Sequence, residues 1–369
     1  MDFGGSALLR TLAVSGTHGP MAHALFSAQS KANKLLVWLG PPFFAPRLPE
    51  LGWELIRADH DVTCPRTWND ILTLTGGATP AVLVTADASI PPPVTGMEAF
   101  PCLTIFYAID SHIHSWYPLY GQGFDLCLVS LRDHLPLFAK GRLTSETVRW
   151  SPAYALNEHR PPSASPAMEW DLLFVGTVDQ QRAPERYLFL TEAKARFPGL
   201  HITRGNFVAL YPRAKLVLNE CTHGELNFRV FEALGCGACL LTPDIGPPLT
   251  EMFVDGKELF LYPQRDVPAM LRLARRLLDD DTLRQRAAKA GLAAVDAGHR
   301  ASHRAAALDE WLSVLFTSGQ AESLTQQRLE AAVTIHRNVL RLLYLLHAES
   351  IDHPQLRKSY LRAANQSPC

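Results

Sequence analysis

The segment Gly224–Gly237 reads Gly-Glu-Leu-Asn-Phe-Arg-Val-Phe-Glu-Ala-Leu-Gly-Cys-Gly and predicts a short helix that begins at Asn227. Asparagine is favoured just before a helix, and glycine is typical of a helix end. The start of such a helix presents free N–H groups and a positive dipole end, which together can bind an anion. Arg229 adds a positive charge in the first turn, and the carboxylate of Glu232 can accept hydrogen bonds from two ribose hydroxyls. The alternative is an ordinary charged surface helix.

Short apolar runs precede this segment and alternate with helix-like stretches. Because the runs are apolar on both faces, they are typical of parallel strands covered by helices. Their alternation with helices predicts a doubly wound α/β sheet. The runs in the first half are Leu35–Leu39, Trp53–Ile56, Ala81–Thr85, Cys102–Tyr107, Leu126–Val129 and Thr147–Trp150.

A second α/β series follows a polar stretch rich in proline and serine, residues 157–168, which we interpret as a linker. The division predicted is a Rossmann-like domain over residues 1–156, a second one over 169–315, and a helical extension over 316–369. The runs of the second series are Asp171–Val175, Leu200–Thr203, Leu216–Leu218, Ala238–Thr242 and Leu259–Tyr262, followed by a strongly helical stretch over Val267–Ala293.

The extension carries leucines at helical spacing with several arginines between them, for example over Leu324–His347. This pattern predicts a helix that packs on the domains or on a second subunit, and possible docking of a partner there. A helix lying on a membrane surface is the alternative.

Composition places the chain among folded proteins, since 47% of its 369 residues are hydrophobic and 19% are charged. The formal net charge of -1 gives no signal for nucleic acid or for an anionic membrane. Seven scattered cysteines indicate reduced thiols, and Cys236 and Cys239 are expected to be buried structural residues. The weakly apolar stretch Ala7–Val14 is not a convincing signal peptide, and no run is long enough to span a membrane. We therefore expect a cytoplasmic protein.

Two further strand ends carry side chains suited to a ligand site. The run Asp171–Val175 ends at Gly176 and Thr177, and Arg182 follows. Glycine allows a phosphate to approach the backbone, and arginine can pair with a diphosphate in a bidentate way. Many strand-to-helix turns contain glycine, so a purely structural turn is the alternative.

The second strand end is the segment after Cys102–Tyr107, which contains Asp110, His112, His114 and Trp116. A carboxylate, imidazoles and an aromatic ring at a strand end can bind a sugar and move a proton. A metal site made by the aspartate and the two histidines is an alternative, but their spacing matches no strong metal signature. We therefore predict no metal.

The second series also resembles a known family. The stretches Tyr211–Asn219, Glu225–Gly237 and Asp255–Glu258, in this order and spacing, look like the C-terminal half of the spore-maturation-protein (CgeB-like) glycosyltransferases. These resemble the GT-B superfamily of retaining transferases. The resemblance implies two Rossmann-like domains facing a cleft, with a nucleotide-sugar held by the second domain and an acceptor met by the first. It implies no cofactor.

The resemblance also assigns roles to residues. It implies that Gly176, Thr177 and Arg182 face the diphosphate, that Asn227 and Arg229 lie at the phosphate-facing helix start, and that Glu232 holds the ribose. On the acceptor side, Asp110 or His112 would orient the acceptor or take its proton. The remaining predicted acceptor contacts are Gly40, His114 and Trp116.

One position departs from the pattern of the superfamily, which has a second glutamate eight residues before the one matching Glu232. That position is Gly224, and the nearest acid is Glu225. Either Glu225 takes the catalytic role of this second glutamate through a one-residue shift of the loop, or that role is absent from the chain.

These observations predict a glycosyltransferase that moves a sugar from a nucleotide-diphosphate-sugar to an unidentified acceptor without metal, and the resemblance implies retention at the anomeric carbon. A nucleotide-sugar isomerase or epimerase and a non-catalytic GT-B scaffold protein are the alternatives. A nicotinamide-dependent dehydrogenase is disfavoured, because no strand is followed by the required Gly-x-Gly-x-x-Gly turn. The partners expected are the donor, an acceptor and a possible second copy of the chain.

Overall fold

The computed structural model describes residues 34–164, 166–221 and 223–366. The apolar stretch Ala7–Val14 and Cys369 lie outside the described residues. The described part of the chain contains two parallel sheets and a set of C-terminal helices.

The first sheet has six parallel strands in the order β2-β1-β3-β4-β5-β6. The strands β1, β3, β4 and β5 are buried along their whole length. This burial is the reason why their sequences are apolar on both faces. The strand bounds are β1 Leu35–Leu39, β2 Glu54–Ala58, β3 Val82–Ala86, β4 Leu103–Ala108, β5 Leu126–Val129 and β6 Val148–Trp150.

The second sheet has five parallel strands in the order β11-β10-β9-β7-β8. All eleven strands of the described residues overlap the runs predicted from the sequence. The strand bounds are β7 Trp170–Val175, β8 Leu200–Thr203, β9 Ala214–Leu218, β10 Leu240–Asp244 and β11 Phe260–Pro263.

Helices connect these strands. The α-helices of the first half are Trp68–Leu74, Tyr117–Gly121 and Leu135–Phe138, and 3-10 turns cover Ala45–Leu51, Met97–Ala99 and Arg132–His134. Those of the second half are Pro184–Arg196, Phe207–Leu210, Phe228–Gly235, Leu249–Met252, Val267–Leu278 and Asp281–Gly298, with a 3-10 turn over Tyr211–Arg213.

The helical stretch predicted over Val267–Ala293 forms two helices, Val267–Leu278 and Asp281–Gly298. Asp280 separates them, and its carboxylate accepts a hydrogen bond from the Leu283 N–H at 2.8 Å, which caps the second helix.

The C-terminal helices return to the first sheet. The helix Ala301–Thr317, which the sequence assigns to the second domain, instead packs on the first with Trp38 and Phe44. Hydrophobic periodicity predicts which face of a helix is buried but not the sheet that covers it, and this explains the difference. The remaining segments are Gln320–Ile335, a π-helical turn His336–Leu340, Arg341–Ser350 and Pro354–Asn365.

Two buried arginines fix this return. Arg328 is fully buried and pairs with Asp125, also fully buried, at 2.8 Å, and it donates to three backbone carbonyls of the first domain. Arg300 donates to the Gly235 carbonyl at 3.1 Å and to the His159 carbonyl at 2.6 Å, so it joins the end of a second-domain helix to the linker. Among the described residues, none of the helices is both long and apolar enough to cross a membrane.

Candidate active site

The site begins at the switch point of the second sheet. In the order β8-β7-β9, the chain leaves β7 in one direction and β9 in the other, which opens a crevice at the carboxyl ends of these two neighbouring strands. β7 ends at Val175 and is followed by Gly176, and β9 ends at Leu218 and is followed by Asn219.

Arg229 occupies this crevice. Its Nε donates to the Val175 carbonyl at 3.2 Å and its Nη1 donates to Oδ1 of Asn219 at 2.8 Å, while the guanidinium lies 5.0 Å from the centre of the Phe174 ring. None of the ion pairs among the described residues involves Arg229. A positive charge without a paired carboxylate therefore lies at the switch point.

Gly176 lies close to this arginine. A Cβ atom at position 176 would lie 2.9 Å from Nη2 of Arg229 and 3.1 Å from the Phe174 ring, so the guanidinium or the ring would have to shift. The glycine predicted for phosphate approach thus also makes room for the guanidinium.

Asn227 precedes the helix Phe228–Gly235 in extended conformation, as predicted, but its side chain makes no capping hydrogen bond. The amide instead donates to Oδ1 of Asn219 at 3.3 Å and to Sγ of Cys221 at 3.4 Å. Its Oδ1 is buried without a partner. The tertiary contact with β9 takes precedence over the local cap, so the predicted capping by this side chain is wrong.

Glu232 lies one turn further along the same helix, half-buried, and its carboxylate has no hydrogen-bond partner among the described residues. Burial raises the pKa of Glu232 from 4.5 to about 7, and the positive charge of Arg229 opposes part of this rise. A half-buried carboxylate that accepts no hydrogen bond from the protein is available to accept hydrogen bonds from a ligand.

The loop after β7 carries the other predicted donor residues. Thr177 and Arg182 are exposed, and the helix that follows begins at Pro184. The Arg182 N–H donates to the Asp179 carboxylate at 3.1 Å. This hydrogen bond and the nearby charges of Arg182 and Arg204 lower the pKa of Asp179.

Three residues of this edge were not predicted. Arg204, which follows β8 directly, is an exposed cation near the Asp179 loop. Glu220, directly after Asn219, is buried and pairs with Arg186 at 2.7 Å. Arg204 could have been predicted from its position at a strand end. The ion pair of Glu220 with Arg186 could not, because only the fold brings these two residues together.

The first domain places Asp110 in a network of hydrogen bonds. Buried Asp87, at the end of β3, accepts the N–H of Asp110 at 2.7 Å and the hydroxyl of Tyr117. Ser89 donates to the Asp110 carboxylate at 2.5 Å and lies 3.1 Å from Nε2 of His114. The sequence analysis did not predict Asp87 and Ser89. Both follow β3, and nothing in the sequence near them shows that they contact Asp110.

The second domain meets the first at His112. Its ring centre lies 5.2 Å from that of His223, which is near Glu225, since the Glu225 carboxylate accepts the His223 N–H at 2.8 Å. Burial lowers the pKa of His112, while the charges of Glu225 and Asp110 raise it and His223 and His134 lower it further. The three predicted catalytic residues, Asp110, His112 and Glu225, are therefore neighbours across the cleft.

Of the two ring nitrogens of His112, Nδ1 is buried without a hydrogen-bond partner, so Nε2 is the accessible one. The ring is mostly neutral near neutral pH, because its pKa is lowered from 6.5. A neutral imidazole with an accessible nitrogen in a cleft can take a proton from a bound hydroxyl.

The three residues predicted to contact the acceptor pack against neighbouring side chains. Gly40 has φ 98°, and a Cβ there would lie 2.3 Å from Nε2 of His60. His114 stacks on Tyr117 with ring centres 4.9 Å apart. Trp116 contacts Tyr117 at 4.5 Å and His347 of a C-terminal helix at 4.8 Å, so its ring fixes the loop to the helical extension.

Aromatic rings join the two domains beside the cleft. Phe228, the first residue of the helix after Asn227, stacks on Phe43 at 6.2 Å and contacts the edge of Tyr154 at 5.3 Å. An exposed ion pair between Arg132 and Glu251 also crosses from one domain to the other.

One cavity lies away from this site. It measures about 290 Å³ and is lined by Trp170 and Leu200 at the amino ends of β7 and β8 and by Lys194 of the helix Pro184–Arg196. Its acidic side chains already pair with cations, Glu169 with Arg213 and Asp171 with Lys215. We therefore place the candidate site at the switch point. Among the described residues, no group of three His, Cys, Asp or Glu side chains is arranged to hold a metal ion.

Comparison with solved structures identifies the architecture. The chain is similar to the sucrose-phosphate synthase of Thermosynechococcus elongatus, with a TM-score of 0.57 and 12% identity over 77% of this chain and 99% of that one. The chain has the GT-B fold. A glycosyltransferase from Rickettsia africae gives a TM-score of 0.53 at 10% identity, over 77% of this chain and 99% of that one.

A third GT-B structure is the HepE protein of Anabaena in complex with UDP-glucose, with a TM-score of 0.52 and 11% identity over 82% of this chain and 98% of that one. Residues 171–310 match the family model described as glycosyl transferase-like. This match includes the switch point and the helix Phe228–Gly235. No curated protein sequence matches the chain.

Proposed function

We propose that the protein is a glycosyltransferase that moves a sugar from a nucleotide-diphosphate-sugar to an acceptor bound by the first domain. The observation that carries this proposal is the Arg229 guanidinium, which lies without a paired carboxylate between the carboxyl ends of β7 and β9. This is the position at which open α/β sheets bind ligands.

The chemistry requires positive charge at this edge. When the bond between the anomeric carbon and the diphosphate breaks, negative charge grows on the leaving group. Arg229 and the exposed cations Arg182 and Arg204 are available to stabilise it. Removal of one such group typically costs about 3 kcal/mol of transition-state stabilisation. Because these cations supply the charge, we propose that the reaction proceeds without a metal ion.

The remaining donor contacts follow from the same helix. We propose that the ribose hydroxyls donate to the unpartnered carboxylate of Glu232, and that Gly176 and Thr177 face the diphosphate. Because the HepE protein was solved with UDP-glucose, we choose uridine nucleotides and hexoses as the first donors to test.

The acceptor lies on the opposite wall in this proposal. His112 presents Nε2 and Asp110 is held by Ser89, so either group can orient an acceptor hydroxyl or take its proton. Glu225 approaches from the second domain and contributes charge beside His112. Retention at the anomeric carbon and the narrower CgeB-like assignment are part of the same proposal and derive from the sequence resemblance.

The test is an incubation of the purified protein with a panel of nucleotide-sugars, with and without candidate acceptors. We expect acceptor-dependent release of a nucleoside diphosphate and a glycosylated product. A new sugar formed without acceptor would instead identify an isomerase. If no nucleotide or nucleotide-sugar raised the thermal stability of the protein, the result would favour a non-catalytic scaffold protein.

A further inference from the structure

The last two helices carry three exposed leucines. Leu342, Leu346 and Leu361 are 59%, 54% and 40% exposed. We call the segment that carries them, Arg341–Asn365, the C-terminal hairpin. Large apolar side chains that are grouped in one segment and left in water are typical of an interaction surface.

The opposite face of the hairpin is part of the first-domain core. Tyr344 and Tyr360 are buried and stack with ring centres 6.1 Å apart, and Leu343 and Leu356 are buried beside them. The hairpin therefore does not need its exposed leucines in order to fold onto the domain.

Four cations lie on the same segment as these leucines. No ion pair among the described residues involves any of them. Only Glu349 and Asp352 oppose them on the hairpin, so the segment is locally basic in a chain whose net charge is -1. The cations are Arg341, Arg357, Lys358 and Arg362.

We propose that the C-terminal hairpin docks the protein on an anionic lipid surface. Apolar side chains flanked by cations on an amphipathic helix provide the two interactions that such a surface offers, shallow burial of leucines and attraction to anionic headgroups. An acidic protein partner would satisfy the charges, but it would not require exposed leucines to be spread over two helices.

The position of the hairpin gives this docking a consequence. Trp116 contacts His347 of the hairpin at 4.8 Å, and it belongs to the loop that carries His112. A docked protein therefore holds the first-domain side of the cleft near the lipid headgroups. The docking itself does not depend on the proposed transferase activity.

The test is cosedimentation of the full chain with vesicles of phosphatidylcholine containing about 30% phosphatidylglycerol, against vesicles of phosphatidylcholine alone. We expect binding to the mixed vesicles that falls as salt is raised. Two variants remove the two interactions separately. The apolar variant is L342Q with L346Q, and the charge variant combines R357E, K358E and R362E.

Matched controls change equally exposed residues of the second domain. The apolar control is L188Q with V254Q, and the charge control combines R272E, R276E and R286E. We expect the charge variant to lower the vesicle partition coefficient at least about tenfold, because each of its three cations contributes roughly a fivefold factor. We expect the apolar variant to lower it as well, because the shallow burial of two leucines is lost. The controls should bind like the unchanged protein.

Three results would overturn the proposal. Equal binding to neutral and anionic vesicles would show that docking does not require anionic lipid. Equal losses of binding in the control variants would show that the C-terminal hairpin is not the docking surface. Absence of binding by the unchanged chain, with a change of oligomeric state in the L342Q/L346Q variant, would assign the surface to a second copy. All variants alter exposed side chains, and thermal unfolding establishes that they fold.

Discussion

The substitution Glu232→Gln should stabilise the protein while weakening its binding of a nucleotide. Burial raises the pKa of Glu232 from 4.5 to about 7 in the folded protein. In the unfolded chain the carboxyl ionises near its ordinary value. The folded protein therefore binds more protons between these two values, so its stability falls as the pH rises through this range and stays low above it.

The size of the effect follows from the two pKa values. One pKa unit corresponds to about 1.4 kcal/mol, so a folded-state pKa of about 7 costs about 3 kcal/mol of stability once both states are ionised. Glutamine cannot ionise and avoids this cost. The variant should therefore be more stable by about 3 kcal/mol near pH 8, but by only about 1 kcal/mol near pH 5.

The assay is urea unfolding of both proteins at the two pH values, with the free energy of unfolding extrapolated to water. Glu146→Gln is the control, because this glutamate is exposed and forms no ion pair among the described residues. A stabilisation by Glu232→Gln that is the same at both pH values, or is absent near pH 8, would refute the reasoning.

The same carboxylate predicts how donor binding depends on pH. Ribose hydroxyls that donate to Glu232 favour its ionised form, so a nucleotide should bind more tightly as the pH rises through about 7 and then reach a plateau. Calorimetric titrations across this range should show the rise in the unchanged protein and none in the glutamine variant.

Three further predictions concern other parts of the molecule. Arg328→Met should cost roughly 3–5 kcal/mol in urea unfolding, because it leaves Asp125 charged and buried; a loss below about 1 kcal/mol would contradict this. Gly40→Ala should cost roughly 3 kcal/mol, since its Cβ would lie 2.7 Å from the Ala86 carbonyl; His60→Ala should not restore stability. His112→Gln should lower kcat roughly a hundredfold and remove the acidic limb of the kcat profile; an unchanged profile would exclude His112 as the base.

Much of the sheet architecture could be predicted because burial on both faces leaves a local record. A run such as Leu35–Leu39 is apolar throughout, and the structure gives β1 the same bounds. The helix after Asn227 was likewise marked by its residue pattern. Both signals arise from neighbours in sequence.

Contacts made between distant segments leave no such record. Nothing near Asp87 in sequence shows that it accepts hydrogen bonds from Tyr117 and from the N–H of Asp110. Asn227 has the local preference of a capping residue, but the nearby amide of Asn219 gives it a different partner. The fold determines which of these contacts form, and the candidate site is built largely from such contacts.

The placement of the helix Ala301–Thr317 illustrates the same limit. Its apolar stripe predicts a buried face, and that face is buried against Trp38 and Phe44 of the first domain. Which of the two sheets the helix covers depends on the path of the chain at Arg300, and the apolar stripe carries no information about this path.

Calorimetric titration of UDP tests the central claim most directly, because the claim is that the switch point around Arg229 binds the donor diphosphate. We compare the unchanged protein with Arg229→Gln and with Arg272→Gln, an exposed second-domain control. The account predicts that Arg229→Gln weakens binding roughly tenfold to a hundredfold, with the control unchanged. Equal affinity of Arg229→Gln and the unchanged protein would contradict it.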